Sequence, residues 1–276
     1  VGKGKANQVV DKAKILDANL IIFDEELSPA QIKNYHKLSK DIKVLDRSAL
    51  ILDIFKKHAK TREAKTQVEL ALCQYLLPRL TRQWTHLERQ MGGVGTRAGM
   101  GETQIEIDRR LIRDKISKLK LDLKKIDSER ITQSQKRGNE FRVALVGYTN
   151  AGKSTLFNSL TGNDVYVQDQ LFATLDTTVR KLRLNKMHQV LISDTVGFIR
   201  KLPHNLVASF RSTLKELLEA DLILIVLDAS SKIIDEHLNT IKNVLSELGA
   251  IDIEKSIIMN KIDQIDKEQE LKKIRS

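Results

Sequence analysis

The sequence predicts an α/β protein. A mainly parallel sheet is expected over residues 141–276, preceded by a small α/β unit and a long antiparallel helical hairpin. Three observations lead there. In the second half, the apolar runs FRVALV (141–146), QVLIS (189–193) and SIIM (256–259) read as buried strands, each followed by a glycine- or charge-bearing motif. Between residues 61 and 133 the apolar period becomes helical, broken by one glycine-rich stretch. In the first 55 residues, strand-like and helical signals alternate.

The N-terminal unit is placed at residues 1–60. NLIIFD (19–24) and IKVLD (42–46) read as strands, with the polar helical stretch SPAQIKNYHKLSK between them. Pro29 stands at the start of that helix, where its missing N–H costs nothing.

The helical hairpin is placed at residues 61–135. Val68, Leu72, Leu76 and Leu80 recur every four residues, and Trp84 continues the series to about residue 90. Pro78 interrupts it, so a kink or local irregularity is expected there. In a second helix, from about 102 to 133, Ile112, Ile116, Leu119, Leu123 and Ile126 follow the a/d seam of a coiled coil. The joining segment, 91–104, carries five glycines (Gly92, Gly93, Gly95, Gly99 and Gly101) and Arg97. A plain turn between helices needs a few residues, so this tip reads either as a probe that orders against a partner or as a flexible connector. Freed backbone N–H groups beside Arg97 suit RNA phosphates, which makes these six residues the candidate RNA contacts. Residues 136–140 read as a linker.

Three short motifs follow in order: GYTNAGKS (147–154), DTVG (194–197) and NKID (260–263). The first matches the phosphate-loop template, in the strand–loop–helix context that the template requires. Gly147 and Gly152 let the backbone turn its N–H groups inward onto phosphate oxygens, and the helix N-terminus adds partial positive charge. Lys153 is placed to reach the β- and γ-phosphates, and Ser154 to offer its hydroxyl to magnesium. Asp194 ends its strand where a carboxylate holds magnesium through water, and Gly197 supplies an N–H for the γ-phosphate. Asp263 can accept both guanine donors, which adenine lacks, so a guanine-nucleotide GTPase is expected. In many such enzymes a glutamine after this glycine orients the attacking water. Here Phe198 cannot, so slow intrinsic hydrolysis and activation by a partner are expected.

Composition narrows the setting. No apolar run approaches a transmembrane length and no signal-peptide pattern is present, so a soluble, cytoplasmic protein without a membrane partner is expected. A monomer is also expected. The one cysteine, Cys73, reads as a small buried helix residue, and the six histidines lack metal-ligand spacing. Charge is unevenly divided: residues 1–140 hold 29 Lys and Arg against 19 Asp and Glu, and residues 141–276 hold 18 against 17. An anionic partner and an ordinary solvated surface account for this equally well on charge alone.

These strings, together with LSPAQ (27–31), VLDRSALILDIF (44–55), TQVELALCQYLLPRL (66–80), GTRAGMGETQIEIDRR (95–110) and DQLFATLD (169–176), resemble the HflX family of ribosome-associated GTPases. That family lies in the Obg-like branch of the P-loop GTPases. The resemblance implies a P-loop GTPase domain at 141–276, with Mg2+ as cofactor and GTP and GDP as ligands. It implies a nucleotide site of Gly147, Tyr148, Thr149, Asn150, Ala151, Gly152, Lys153, Ser154 and Thr155, then Phe172, Ala173, Thr174, Leu175 and Asp176, then Asp194, Thr195, Val196 and Gly197, then Asn260, Lys261 and Asp263. Thr174 would join Ser154 and Asp194 at the metal, and Lys153, Thr174 and Gly197 would serve catalysis. It further implies binding to the large ribosomal subunit and its RNA, and splitting or recycling of stalled ribosomes under stress. The alternative is a GTP-dependent regulatory switch whose hairpin docks on a protein; the basic bias and the Gly-Arg tip favour RNA. The chain departs from the family pattern at AGMG (98–101) and at Thr177, where glycine-proline-glycine and a proline are common. The domain is also expected to be incomplete at its C-terminal end, without the last strand and the loop that closes over guanine.

Overall fold

The computed structural model describes residues 2–80, 104–135, 140–162, 175, 177–199 and 215–265. The chain divides into two compact units, residues 1–56 with 68–123 and residues 57–67 with 124–276.

In the first unit, strands β1 (Leu20–Phe23) and β2 (Lys43–Asp46) pair in parallel, Leu20 opposite Lys43 and Phe23 opposite Asp46. Helix α1 (Lys3–Ile15) precedes β1, and α2 (Pro29–Leu38) makes the crossover. Ser28 caps α2 in a reciprocal capping box with Gln31, and Pro29 occupies its first turn as expected. Val10 and Ala13 of α1, Ile32 and Tyr35 of α2, and Ile42 and Val44 around β2 form one buried cluster. Helix α3 (Arg47–His58) follows β2 directly and buries Ile51, Leu52 and Phe55.

Helix α4 (Arg62–Leu76) ends earlier than the apolar spacing predicts, passing into a 3-10 turn at Leu77–Arg79. The local irregularity falls at Pro78, which has no N–H to continue the helical ladder. Helix α5 (Gln104–Gln135) carries the seam residues, and Leu119 packs with Leu70 and Cys73 of α4, flanked by Ile112, Ile116 and Leu123. Lys115 pairs with Glu69 beside this contact. Cys73 is fully buried, and burial raises its thiol to about 11, so it is inert packing. The glycine-rich tip, with Gly92, Gly93, Gly95, Arg97, Gly99 and Gly101, and most of the 136–140 linker lie outside the described residues.

A buried polar knot ties this unit together. Asp46, 0 % exposed, accepts hydrogen bonds from Leu27 N, Ala49 N and the Tyr75 hydroxyl, and its Oδ2 lies 3.5 Å from Arg79. Arg79 also donates to the carbonyls of Leu27 and Tyr75 and to Glu26.

The second unit is built on a five-stranded sheet. In chain order the strands are β3 (Phe141–Gly147), β4 (Thr178–Arg183), β5 (Gln189–Asp194), β6 (Leu222–Asp228) and β7 (Glu254–Asn260); their spatial order is β4-β5-β3-β6-β7. All neighbours pair in parallel except β4, which runs antiparallel to β5 at one edge. The central strands are continuous apolar runs because they are covered on both faces. Val143, Leu145, Ile192 and Val226 make the core with Ala151 and Phe157. Helix α6 (Lys153–Thr161) follows β3, the short α7 (Lys215–Leu218) precedes β6, and α8 (Ile234–Leu248) connects β6 to β7. Gly249, at φ +79°, closes α8 in the left-handed conformation that glycine adopts most readily.

Candidate nucleotide site

Four strand ends converge on one region of the second unit. Gly147 ends β3, Asp194 ends β5, Asp228 ends β6 and Asn260 ends β7. In open parallel sheets, ligands bind at these carboxyl ends.

The loop from Gly147 to Gly152 turns on two left-handed residues, Asn150 at φ +62° and Gly152 at φ +89°. A side chain is excluded at three points. A Cβ on Gly147 would fall on the Val226 carbonyl oxygen, and one on Gly152 would strike the Asn260 amide. On Gly197, a Cβ would lie 2.7 Å from Thr149 Cα and 3.1 Å from Lys153 Nζ. The Asp194–Gly197 segment therefore passes directly against the loop. Phe198 fixes that approach: its N–H donates to Gly147 O at 3.0 Å, and its carbonyl accepts from Thr149 N at 2.7 Å.

Lys153 is 5 % exposed, and its Nζ donates to the carbonyls of Gly147 (3.3 Å) and Tyr148 (3.1 Å), which hold the ammonium in the turn of the loop. Ser154 Oγ donates to Asp194 Oδ2 at 2.6 Å, and Asp194 is fully buried. A hydroxyl beside a buried carboxylate is a pair of hard oxygen donors of the kind magnesium takes, so the donor set fits that ion. Thr195 donates to Leu145 O and Ser193 to Val143 O, which locks the strand end beneath the site.

The NKID segment reaches the same loop. Asn260 Nδ2 donates to Ala151 O at 2.9 Å, and Asn260 O accepts from Ala229 N. Lys261, at φ +58°, pairs with Asp228 at 2.8 Å. Burial works to raise the Asp228 carboxyl, but hydrogen bonds from Lys261 and Ser230 outweigh it and hold it below its ordinary value. Asp263 lies exposed in a 3-10 turn (Ile262–Gln264), open to a ligand rather than buried in the protein.

Of the remaining sequence candidates, Val196 and Leu175 are buried, while Thr155 is exposed on α6. Phe172, Ala173, Thr174 and Asp176 lie outside the described residues. Two partners escape the motif reading. His237 of α8 stacks on Tyr148 with ring centroids 3.9 Å apart, and Asp228 anchors Lys261. An aspartate ending the apolar run LILIVLD was a readable signal for the second; nothing local marks His237, 89 positions beyond Tyr148.

Burial lowers the Lys153 ammonium from 10.5 to about 8, the nearby Asp194 partly opposing the shift. The charged form is disfavoured in the fold, so the penalty is fully present below pH 8 and fades as pH rises towards 10.5, where the unfolded lysine also loses its proton. The empty protein should therefore gain stability across that window. Binding a phosphate requires the charged form, so affinity for GDP should weaken above about pH 8, with proton uptake on binding. Calorimetry in buffers of different ionisation enthalpy checks this; no proton uptake at pH 9 would remove the claim.

The family model described as a 50S ribosome-binding GTPase matches residues 142–261. Models described as the N-terminal and middle regions of a GTP-binding GTPase match residues 1–56 and 58–137. The chain is 52 % identical over 263 residues to GTPase HflX of Flavobacterium psychrophilum, covering 95 % of this chain and 63 % of that protein. It is 47 % identical over 268 residues to GTPase HflX of Escherichia coli, covering 96 % and 62 %. It thus spans less than two thirds of the length of these relatives. Among solved structures it is similar to the SsGBP–GDP complex, with a TM-score of 0.53 at 29 % identity over 100 % of this chain and 75 % of that one. The GDP complex of a GTP-binding protein from Sulfolobus solfataricus gives 0.51 at 27 % identity, covering 100 % and 74 %. Among the described residues, no helix is long and apolar enough to cross a membrane.

Proposed function

Because the chain belongs to the HflX family of GTPases, we propose that it binds and slowly hydrolyses GTP, and that it acts at the large ribosomal subunit to split or recycle stalled ribosomes. The observation that carries the nucleotide reading is the Asn260–Ala151 hydrogen bond, which joins the base-reading segment to the phosphate loop. Lys153 grips the β- and γ-phosphates, the Gly197 N–H faces the γ-phosphate, and Asp263 reads guanine. Ser154 and Asp194, with Thr174, would hold magnesium. When bound, that ion would supply positive charge to offset that of the phosphates. Phe198, 4 % exposed, has no group to orient water, so hydrolysis depends on a partner.

Asp263→Asn is expected to move preference from guanine towards xanthine nucleotides, because the carboxylate's two acceptors read the two guanine donors. Displacement of labelled GDP checks it, and equal competition by ATP and GTP with the unaltered chain would exclude the guanine reading.

The ribosomal part rests on the basic first half and on the glycine-rich 91–104 segment. Sedimentation of ribosomes with the protein and a non-hydrolysable GTP analogue tests it. Deleting residues 93–101 should abolish splitting and leave GTP binding unchanged. A deleted protein that splits ribosomes at the unaltered rate would reduce the segment to a connector.

A further inference from the structure

We propose that the β4–β5 hairpin of the second unit is a docking surface for ribonucleic acid, distinct from the glycine-rich segment. Residues 178–188 carry Arg180, Lys181, Arg183 and Lys186 and no acidic residue. Without them, residues 141–276 hold 14 Lys and Arg against 17 Asp and Glu, so an otherwise slightly acidic stretch of the chain carries a wholly basic hairpin.

All four cations are exposed. Lys181 pairs with Glu140, which leaves Arg180, Arg183 and Lys186 as the outward set. Successive residues of a strand point to opposite faces, so Arg180 and Arg183 stand on opposite faces of β4, with Lys186 at the tip. Leu182, on the same face as Arg180, packs against the core of the sheet, so the cations line the edge strand and the tip of the hairpin. Cations set along such an edge suit the phosphate backbone of folded RNA.

The tip is built rather than loose. Asn185 Oδ1 accepts hydrogen bonds from Met187 N (2.9 Å) and His188 N (2.8 Å), while Leu184 N donates to His188 O (3.0 Å). This turn holds Met187 at 90 % and Leu184 at 62 % exposure. Cations on an edge strand also discourage edge-to-edge pairing, but that purpose does not require two bare apolar side chains at the turn. Against bases splayed out of a stack, they supply the apolar contact that a phosphate-only surface lacks.

The hairpin also has a route to the nucleotide site. In the β4–β5 register, Thr178 lies opposite Asp194 and Arg183 opposite Gln189. Tip and Asp194 are thus the two ends of one six-residue ladder, roughly 20 Å long. An RNA seated on the tip bears on the strand that positions Asp194.

The identity of the RNA rests on the ribosomal reading above; the surface itself does not. The test compares the unaltered chain with two variants, Arg180→Glu/Arg183→Glu/Lys186→Glu and Leu184→Ser/Met187→Ser. Binding to purified large ribosomal subunits and to a short synthetic RNA stem-loop is measured across a KCl titration, with thermal melting as the folding control. The charge variant should bind both probes about tenfold or more weakly and lower the slope of log affinity against log salt by about two to three. The apolar variant should weaken binding several-fold with the slope unchanged. Unaltered affinity and slope in the charge variant overturn the proposal. If the unaltered chain ignores subunits but its stem-loop binding is lost in the charge variant, the ribosomal reading fails and the hairpin stands. Binding to neither probe overturns both. Competition by polyglutamate as strong as by RNA of equal charge would assign the surface to an acidic protein and overturn the RNA proposal.

Discussion

Replacing Lys153 with alanine is expected to abolish nucleotide binding at micromolar protein while leaving the fold intact. The lysine is buried and steered by the Gly147 and Tyr148 carbonyls, so its ammonium has one direction in which to act. Two charge-assisted hydrogen bonds to phosphate, at about 1.5–3 kcal/mol each, amount to a loss on the order of a hundredfold or more in affinity. The vacated space would then present two carbonyl oxygens to an anion, which deepens the loss. Stability should hold or rise, since burial already disfavours this charge. Titration with a fluorescent GDP derivative and a thermal melt measure both halves. An affinity within threefold of the unaltered chain would remove Lys153 from the phosphate role.

Asp46→Ala is expected to have the largest effect on stability, unfolding the first unit more easily by about 3–5 kcal/mol. The carboxylate is fully buried and answers the donors of Leu27, Ala49 and Tyr75 as well as Arg79. Without it, a guanidinium with a side chain only 7 % exposed loses its buried counter-charge. Glu26, at 58 % exposure, cannot replace it, and Glu26→Ala should cost under about 1 kcal/mol. Urea unfolding followed by hydrogen exchange in α4 reads the difference. Equal midpoints for the two variants would show that the knot is no more than packing.

The sequence made the site more legible than the fold around it. The phosphate loop, Asp194 and Asn260 were readable because each motif ends a continuous apolar run, and a buried parallel strand allows little else. Strand β4 went unnamed because its TVRKLR is an edge strand, where exposure to water dilutes the apolar alternation. Helix α1 went unnamed for a related reason: its buried residues are Val10 and Ala13, a stripe too narrow to stand out of a polar segment. The predicted length of α4 ran past Leu76 because spacing records side chains, whereas Pro78 acts on backbone hydrogen bonding. Leu72 illustrates the same limit. It sits on the predicted stripe but is only half-buried, while Ala71 and Cys73 on either side are fully enclosed. The Tyr148–His237 stack could not be read from either residue, because the crossover between β6 and β7 brings them together.

The hydrogen bond from Asn260 to Ala151 spans 109 positions. That separation sets an order of events during synthesis. The phosphate loop and its helix are complete early, but the strap that holds Ala151 and crowds Gly152 arrives only when β7 has left the polypeptide exit path and paired with β6. Such long-range parallel pairing is slow to form, because the chain closes a large loop before any contact rewards it. A nascent chain that already carries the entire GKS motif therefore has no finished cradle. Nucleotide competence is acquired late, and a product arrested before residue 254 emerges should bind GTP far more weakly than the finished chain.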